Sequence, residues 1–388
     1  MTDLDTRMAP PGPSALRRAA PALLGYAAVR ALSLLALAVW SAARDKSAYT
    51  LLTARWDALW YARVAELGYG YEVRMPNGDV HSNLAFFPLL PWLERLGATL
   101  TPLSYADAGF AVSLLASLAA AWGIFAVADH IYGPRAGVCA VLLWAVLPVG
   151  IVQSMAYSES LFTALAAWSL YAVLTGRWMA AGALAMLAGL TRPVGLAVVA
   201  AVWAAGIASF VRDRSTAGPH GSRHVTRALG MLLAPLGTAG YVLWVGHRTG
   251  KGPLGYVDVQ AGWRNGFDGG YAFARFVADK FTSFPSALAG IGLIIGVGLV
   301  VWLYVVCVRQ RQPLPLLVYG GIVTALALCA SSYFGSKPRL LLPAFPLLLP
   351  LALSLSRLRT RRSAGGLAGV AVASAVYGAF WLNGSGPP

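Results

Sequence analysis

Acidic residues are scarce in this chain. Only 15 Asp and Glu occur among 388 residues, and charged residues of both signs make up 12%. A soluble globular domain carries about 25% charged residues, so this composition cannot cover an ordinary water-facing surface. Cysteine is nearly absent: Cys139, Cys307 and Cys329 each lie inside an apolar run, without metal-ligand spacing, and read as small buried hydrophobes. No P-loop, GxGxxG after a strand, HExxH or CxxC occurs, which leaves ATP-driven and zinc chemistry without support. Strict apolar–polar alternation is also missing, and that excludes a membrane barrel.

What the chain has instead is apolar length. Hydrophobic residues make up 58% of it, and runs of about 20, enough to cross a bilayer, recur from end to end. The expected fold is an all-α polytopic membrane protein with eleven spans: Pro21–Ala42, Ala108–Asp129, Ala136–Gln153, Ser158–Thr175, Met179–Leu190, Pro193–Val211, Thr226–Gly246, Phe284–Val308, Pro313–Ala330, Leu340–Ser356 and Gly365–Leu382. Residues 1–20 form a polar, Pro-rich tail without a cleavage pattern, so the first span is expected to stay in the mature protein. Residues 21–388 form a single transmembrane domain.

The net charge of +15 does not point to nucleic acid, because the basic residues sit mostly in short connectors. With the N-terminus inside, the inner connectors hold fifteen arginines, from Arg7 to Arg362, against four acids: Asp3, Asp5, Asp129 and Asp213. This arginine bias predicts a cytoplasmic N-terminus and places two long segments, 43–107 and 247–283, outside. Both are rich in Trp, Tyr and Phe with scattered charges, the composition of helices lying in the membrane interface.

The chemistry is expected on that outer face. In "TARWDALWYARVAELGYG", a helix wound over 53–68 puts Trp56 and Trp60 on one stripe and Asp57 on another face, with Thr53 as the N-cap. Asp57 has no cation at the i±3 or i±4 positions, and an unpaired acid at a membrane surface is costly. Its alternative is a first-turn acid favoured by the helix dipole. Glu159, in "YSESLF", is either a second acid at the same place or a first-turn residue behind a Ser158 cap. Lys337 and Arg339, in "GSKPRLLLPAFPL", make a phosphate cradle or an interface pair, and Arg192, in "LTRPVG", is a further cation or an interface anchor. Trp56, Trp60 and Tyr61 offer aromatic faces to a sugar or a lipid, and an interfacial belt explains them equally well. His81 is an acceptor-side group or a loop residue, and Asp258 and Asp268 are lesser candidates.

"RWDALWYARVAELGY", "NLAFFPLLPWLERL", "YSESLF" and "LTRPVG", in that order, resemble the PIG-V type mannosyltransferases of the GT-C glycosyltransferase superfamily. The likeness covers the first half of the chain, and the second half through its topology and "KPRLLLPAFPL". It implies a GT-C bundle of about eleven helices. It also implies an inverting transfer of a sugar, usually mannose, from a polyprenyl-phosphate donor to a lipid, glycan or protein acceptor on the outer face. Asp57 falls at the position of the catalytic base. Many relatives have two adjacent acids there; here Asp57 stands alone between Trp56 and Ala58, and Glu159 or a second-loop Asp would supply any second carboxylate. A donor with one phosphate has less need of a bridging metal than a nucleotide diphosphate sugar, so neither a metal nor a cofactor is expected. A transporter or flippase is the competing reading, but such proteins place ionisable groups near mid-bilayer, where Arg30 is the clearest instance here. A non-catalytic membrane subunit is the other.

Overall fold

The computed structural model describes residues 15–214 and 221–384, so most of the predicted tail, with Asp3, Asp5 and Arg7, lies outside the described residues. The helices are α1 (Ala15–Ala42), α2 (Ala48–Thr53), α3 (Asp57–Leu67), α4 (Leu89–Leu100), α5 (Tyr105–Tyr132), α6 (Pro134–Ala145), α7 (Ser158–Leu174), α8 (Trp178–Gly189) and α9 (Leu196–Arg214). They continue as α10 (Gly221–Leu233), α11 (Leu236–Thr249), α12 (Gly255–Gly262), α13 (Tyr271–Asp279), α14 (Ser286–Arg309), α15 (Leu314–Cys329), α16 (Lys337–Leu340), α17 (Leu349–Arg357) and α18 (Thr360–Leu382). Two short antiparallel pairs complete the fold: β1 (Glu72–Arg74) with β2 (Val80–Ser82), and β3 (Gly266–Phe267) with β4 (Ala330–Ser331).

Among the described residues, six stretches are long and apolar enough to cross a membrane, a bent pair of helices makes a seventh, and four shorter apolar helices accompany them. Each of the eleven predicted runs corresponds to one of these, and the chain is a multi-pass membrane protein. The outward surface agrees with its solvent. On α14, Leu288, Ile291, Ile295, Leu299 and Trp302 face outward. On α4 the exposed row is Trp92, Leu96 and Leu100, while Glu94 is buried, the reverse of a water-facing amphipathic helix.

Two predicted spans are broken. The run 136–153 is helical only to Ala145; it then bends through Pro148 into a 3-10 turn at Gly150–Ser154. Unwinding frees backbone carbonyls, which lipid cannot satisfy. Arg30, buried on α1, supplies the donors: its guanidinium bonds the carbonyls of Ala145 and Gly150. The run 340–356 likewise turns by 71° between 334–340 and 345–357, where Pro343 and Pro346 interrupt the helix.

The connectors sort to two ends. At one end Arg18 bonds Asp129, Arg135 bonds the carbonyl of Leu358, and Arg227 pairs with Asp213. At the other, Lys46 and Ser41 meet Asn383, and the two long aromatic segments pack together. Small residues let the bundle close. An added Cβ on Gly182 would stand 2.2 Å from the carbonyl oxygen of Gly230, so α8 and α10 touch through backbone.

Glu94 is an exposed-looking residue turned inward. It is 1% exposed, one carboxyl oxygen has no hydrogen-bond partner, and Gly109 leaves it room, since a Cβ there would lie 2.4 Å away. Burial pushes its carboxyl well above the usual carboxylate range. The folded chain therefore holds this proton more tightly than the unfolded chain. The stability this contributes is present at low pH and is lost as pH rises from the ordinary carboxylate range through the raised folded value. Glu94→Gln should flatten that decline; thermal unfolding scans of both proteins across this range test it, and parallel pH profiles would count against it.

Candidate active site

The sequence between α2 and α3 does more than continue a helix. α2 ends at Thr53, whose hydroxyl bonds back to the carbonyl of Tyr49, so Thr53 does not cap the next helix. Trp56 takes the cap position with φ +52°, a conformation costly for a bulky side chain, and α3 begins at Asp57. The break turns Asp57 towards the start of α7, and the Ala156 N–H bonds to the Leu52 carbonyl across the same gap. Ser158 is not the cap of α7 either. Tyr157 occupies that position, and the Ser158 hydroxyl lies between the hydroxyl of Tyr61, at 2.7 Å, and Nη1 of Arg192, at 3.0 Å.

Four charged side chains meet here in alternating sign. Asp57 Oδ2 lies 2.7 Å from Arg339 Nη2, Arg339 Nε lies 3.4 Å from Glu159 Oε1, and the same oxygen lies 2.7 Å from Arg192 Nη1. Glu159 is 1% exposed, Arg339 10%, Arg192 14% and Asp57 24%, so the chain of charges opens to solvent at Asp57. Two planar forks can bridge two carboxylates in this way, whereas a lysine ammonium is a single point charge. The Arg339 guanidinium also lies 5.0 Å above the ring of Tyr157. Its Nη1 is buried without a hydrogen-bond acceptor. Such an unspent donor suits an incoming anionic oxygen.

The other candidates lie around this cluster. Tyr61 reaches it through Ser158. Trp60, one turn after Asp57, stacks on Phe86 at 5.6 Å and meets Trp263 edge-on at 4.9 Å, and His81 stacks on Trp263 at 4.1 Å. Arg55 covers the ring of Trp56. His81 and Trp60 thus belong to an aromatic wall around Phe86 and Trp263, whereas Trp56 packs against the main core instead. Asp258 pairs with Lys251, and Asp268 accepts the N–H groups of Gly270 and Ala272, so neither joins Glu159 as the second acid of the cluster.

Lys337 is placed differently from Arg339. It is buried, and its ammonium bonds the carbonyls of Ala327, Leu328 and Ala330 where α15 ends, with Phe273 at 4.8 Å. Its three donors are spent on holding that terminus. Lys337→Met should therefore lower the unfolding temperature and leave affinity for a phosphate ligand within about twofold; a binding isotherm showing a tenfold loss would return Lys337 to the phosphate site. Among the described residues, no group of three or more His, Cys, Asp or Glu side chains is placed to hold a metal ion.

Phe86, Trp263 and Ser158 contact the candidate residues directly, places that their sequence context did not reveal. Tyr157 carried one usable signal, its place directly before Ser158 and Glu159.

Residues 82–236, which include Glu159 and Arg192, match the family model described as dolichyl-phosphate-mannose-protein mannosyltransferase. The GPI alpha-1,6-mannosyltransferase 2 of Rattus norvegicus is 33% identical over 156 residues, covering 38% of this chain and 30% of its own length. The Mus musculus protein of that name is 33% identical over 153 residues, or 37% and 29%. The aligned part is thus less than a third of the length of these curated relatives. Among solved structures, ArnT from Cupriavidus metallidurans in the apo state superposes with a TM-score of 0.52 at 18% identity, covering 87% of this chain and 61% of that one. Its complex with undecaprenyl phosphate gives 0.52 at 16% identity, covering 88% and 61%. The chain therefore has the polytopic helical fold seen in ArnT, and within it residues 82–236 are similar to the dolichyl-phosphate-mannose-protein mannosyltransferases.

Proposed function

We propose that the protein is an inverting glycosyltransferase that moves a sugar, most simply mannose, from a polyprenyl-phosphate donor to a hydroxyl of a lipid, glycan or protein acceptor. The observation that carries this reading is the Asp57–Arg339–Glu159–Arg192 chain, which places a solvent-reaching carboxylate beside two largely buried guanidinium groups. The matched segment and the GT-C fold support the same reaction class.

Arg339 and Arg192 hold the donor phosphate and stabilise the charge that grows on it as the bond from the anomeric carbon to phosphate oxygen breaks. The acceptor oxygen attacks the opposite face of that carbon, and Asp57 takes its proton. Glu159 serves as the fixed counter-charge that aligns both guanidinium groups. The lipid chain has a route beside them: an apolar cavity of about 510 Å³ is lined by Pro338, Leu341 and Leu342, which flank Arg339, and by Leu299, Val300 and Leu303 of α14. The cluster lies at the end opposite the arginine-rich connectors, which the positive-inside bias puts on the outer face. A transporter reading has less to work with, because Arg30, the ionisable group it would use mid-span, is committed to backbone carbonyls.

The test is transfer by the purified chain from synthetic polyprenyl-phosphate mannose to a panel of glycolipid and glycan acceptors, read by mass spectrometry. Absence of any transfer, together with absence of donor hydrolysis, would overturn the assignment.

A further inference from the structure

Tyr157 is fully buried, and its hydroxyl, whose oxygen the Asp57 backbone N–H approaches, has no acceptor for its own proton. Buried hydroxyls normally find an acceptor, so a proton left without one here is the exception that asks for a ligand. The residue is held firmly. Its carbonyl accepts from the Ser113 hydroxyl at 3.0 Å, and its neighbour Ala156 is tied to Leu52. Its ring carries the guanidinium of Arg339, and the charges of Asp57, Arg339 and Glu159 all act on its hydroxyl. Two buried donors on side chains in contact therefore lack acceptors: the Tyr157 hydroxyl and Arg339 Nη1.

We infer that the Tyr157 hydroxyl is a phosphate-binding donor that acts together with Arg339. A ligand that serves both donors must present more than one acceptor oxygen, and beside a guanidinium an anionic one is favoured. A phosphate group meets both conditions; a single sugar hydroxyl brings one oxygen and a proton of its own. The ring and the hydroxyl have separate tasks. The ring supports Arg339, and the hydroxyl contacts the ligand. This inference rests on the proposed use of a lipid-phosphate donor and adds a residue to its recognition.

Two variants separate the tasks. Tyr157→Phe keeps the ring and the seat of Arg339 and removes only the hydroxyl. Binding of undecaprenyl phosphate to the full chain in detergent micelles should weaken about tenfold or more, with the unfolding temperature unchanged or raised. Affinity for undecaprenol, which lacks the phosphate, should not move. Tyr157→Leu removes the ring as well and should lower both the unfolding temperature and the affinity. Inorganic phosphate, used as a third probe, shows whether the headgroup alone suffices; a Phe-sensitive affinity for it supports the contact directly. Equal binding of undecaprenyl phosphate by wild type and Tyr157→Phe would overturn the inference and leave the proposed reaction standing. Failure of the wild-type chain to bind undecaprenyl phosphate at all would overturn both.

Discussion

Asp57→Asn is expected to leave the protein folded and able to bind donor while turnover falls by about 10²–10⁴-fold, the usual range for loss of a general base. The structure makes this variant informative. Asp57 is the most exposed member of the charge chain, and its partner Arg339 keeps a second carboxylate, Glu159, within reach. The amide matches the carboxylate in shape and removes its charge, so the bundle has little reason to rearrange. Single-turnover assays at saturating donor isolate the chemical step. Wild-type rates in Asp57→Asn would take Asp57 out of the mechanism and leave Glu159 as the carboxylate to examine.

Arg339→Ala should act on binding and folding together. Removing one partner from a buried ion pair costs about 3–5 kcal/mol, because the remaining charge is left uncompensated. Here Arg192 still lies 2.7 Å from Glu159, so the loss should fall at the lower end of that range. Donor affinity should fall by about 10- to 100-fold, the worth of a hydrogen bond to a charged group. Arg339→Lys separates the two effects. It keeps the charge near Asp57 and Glu159 but lacks the fork, so stability should largely recover while affinity stays reduced. Full recovery of affinity in the lysine variant would mean that charge alone matters and the planar geometry does not.

Apolar length made the span count readable, because no other arrangement satisfies so many backbone groups without water. The arginine bias separated the two ends of the molecule for a related reason. The breaks inside spans were less visible. The expected spans ran straight through the prolines at 148, 343 and 346, and only the tertiary position of Arg30 shows how the freed carbonyls of Ala145 and Gly150 are satisfied. At the site, residue type pointed to Asp57, Glu159, Arg192 and Arg339, which lie far apart in the chain and meet in the fold. Local winding misplaced their surroundings. A continuous helix from Thr53 hid the left-handed turn at Trp56, and treating Lys337 and Arg339 as a pair ignored that residues two apart on a helical turn point in different directions. Glu94 was unreadable, since a carboxyl turned into a core has no local sequence signature.

If transfer runs as proposed, the alternation of Asp57, Arg339, Glu159 and Arg192 has a consequence for its final step. Before transfer, two positive and two negative side chains sum to zero beside a phosphodiester with a single negative charge. After transfer, Asp57 carries the acceptor's proton, the remaining side chains sum to +1, and the departing lipid phosphate has gained a negative charge. The site therefore becomes more attractive to the group it must let go. Spent carrier should inhibit competitively with donor and bind more tightly than donor does, and its departure rather than bond breaking should limit turnover once substrates are saturating.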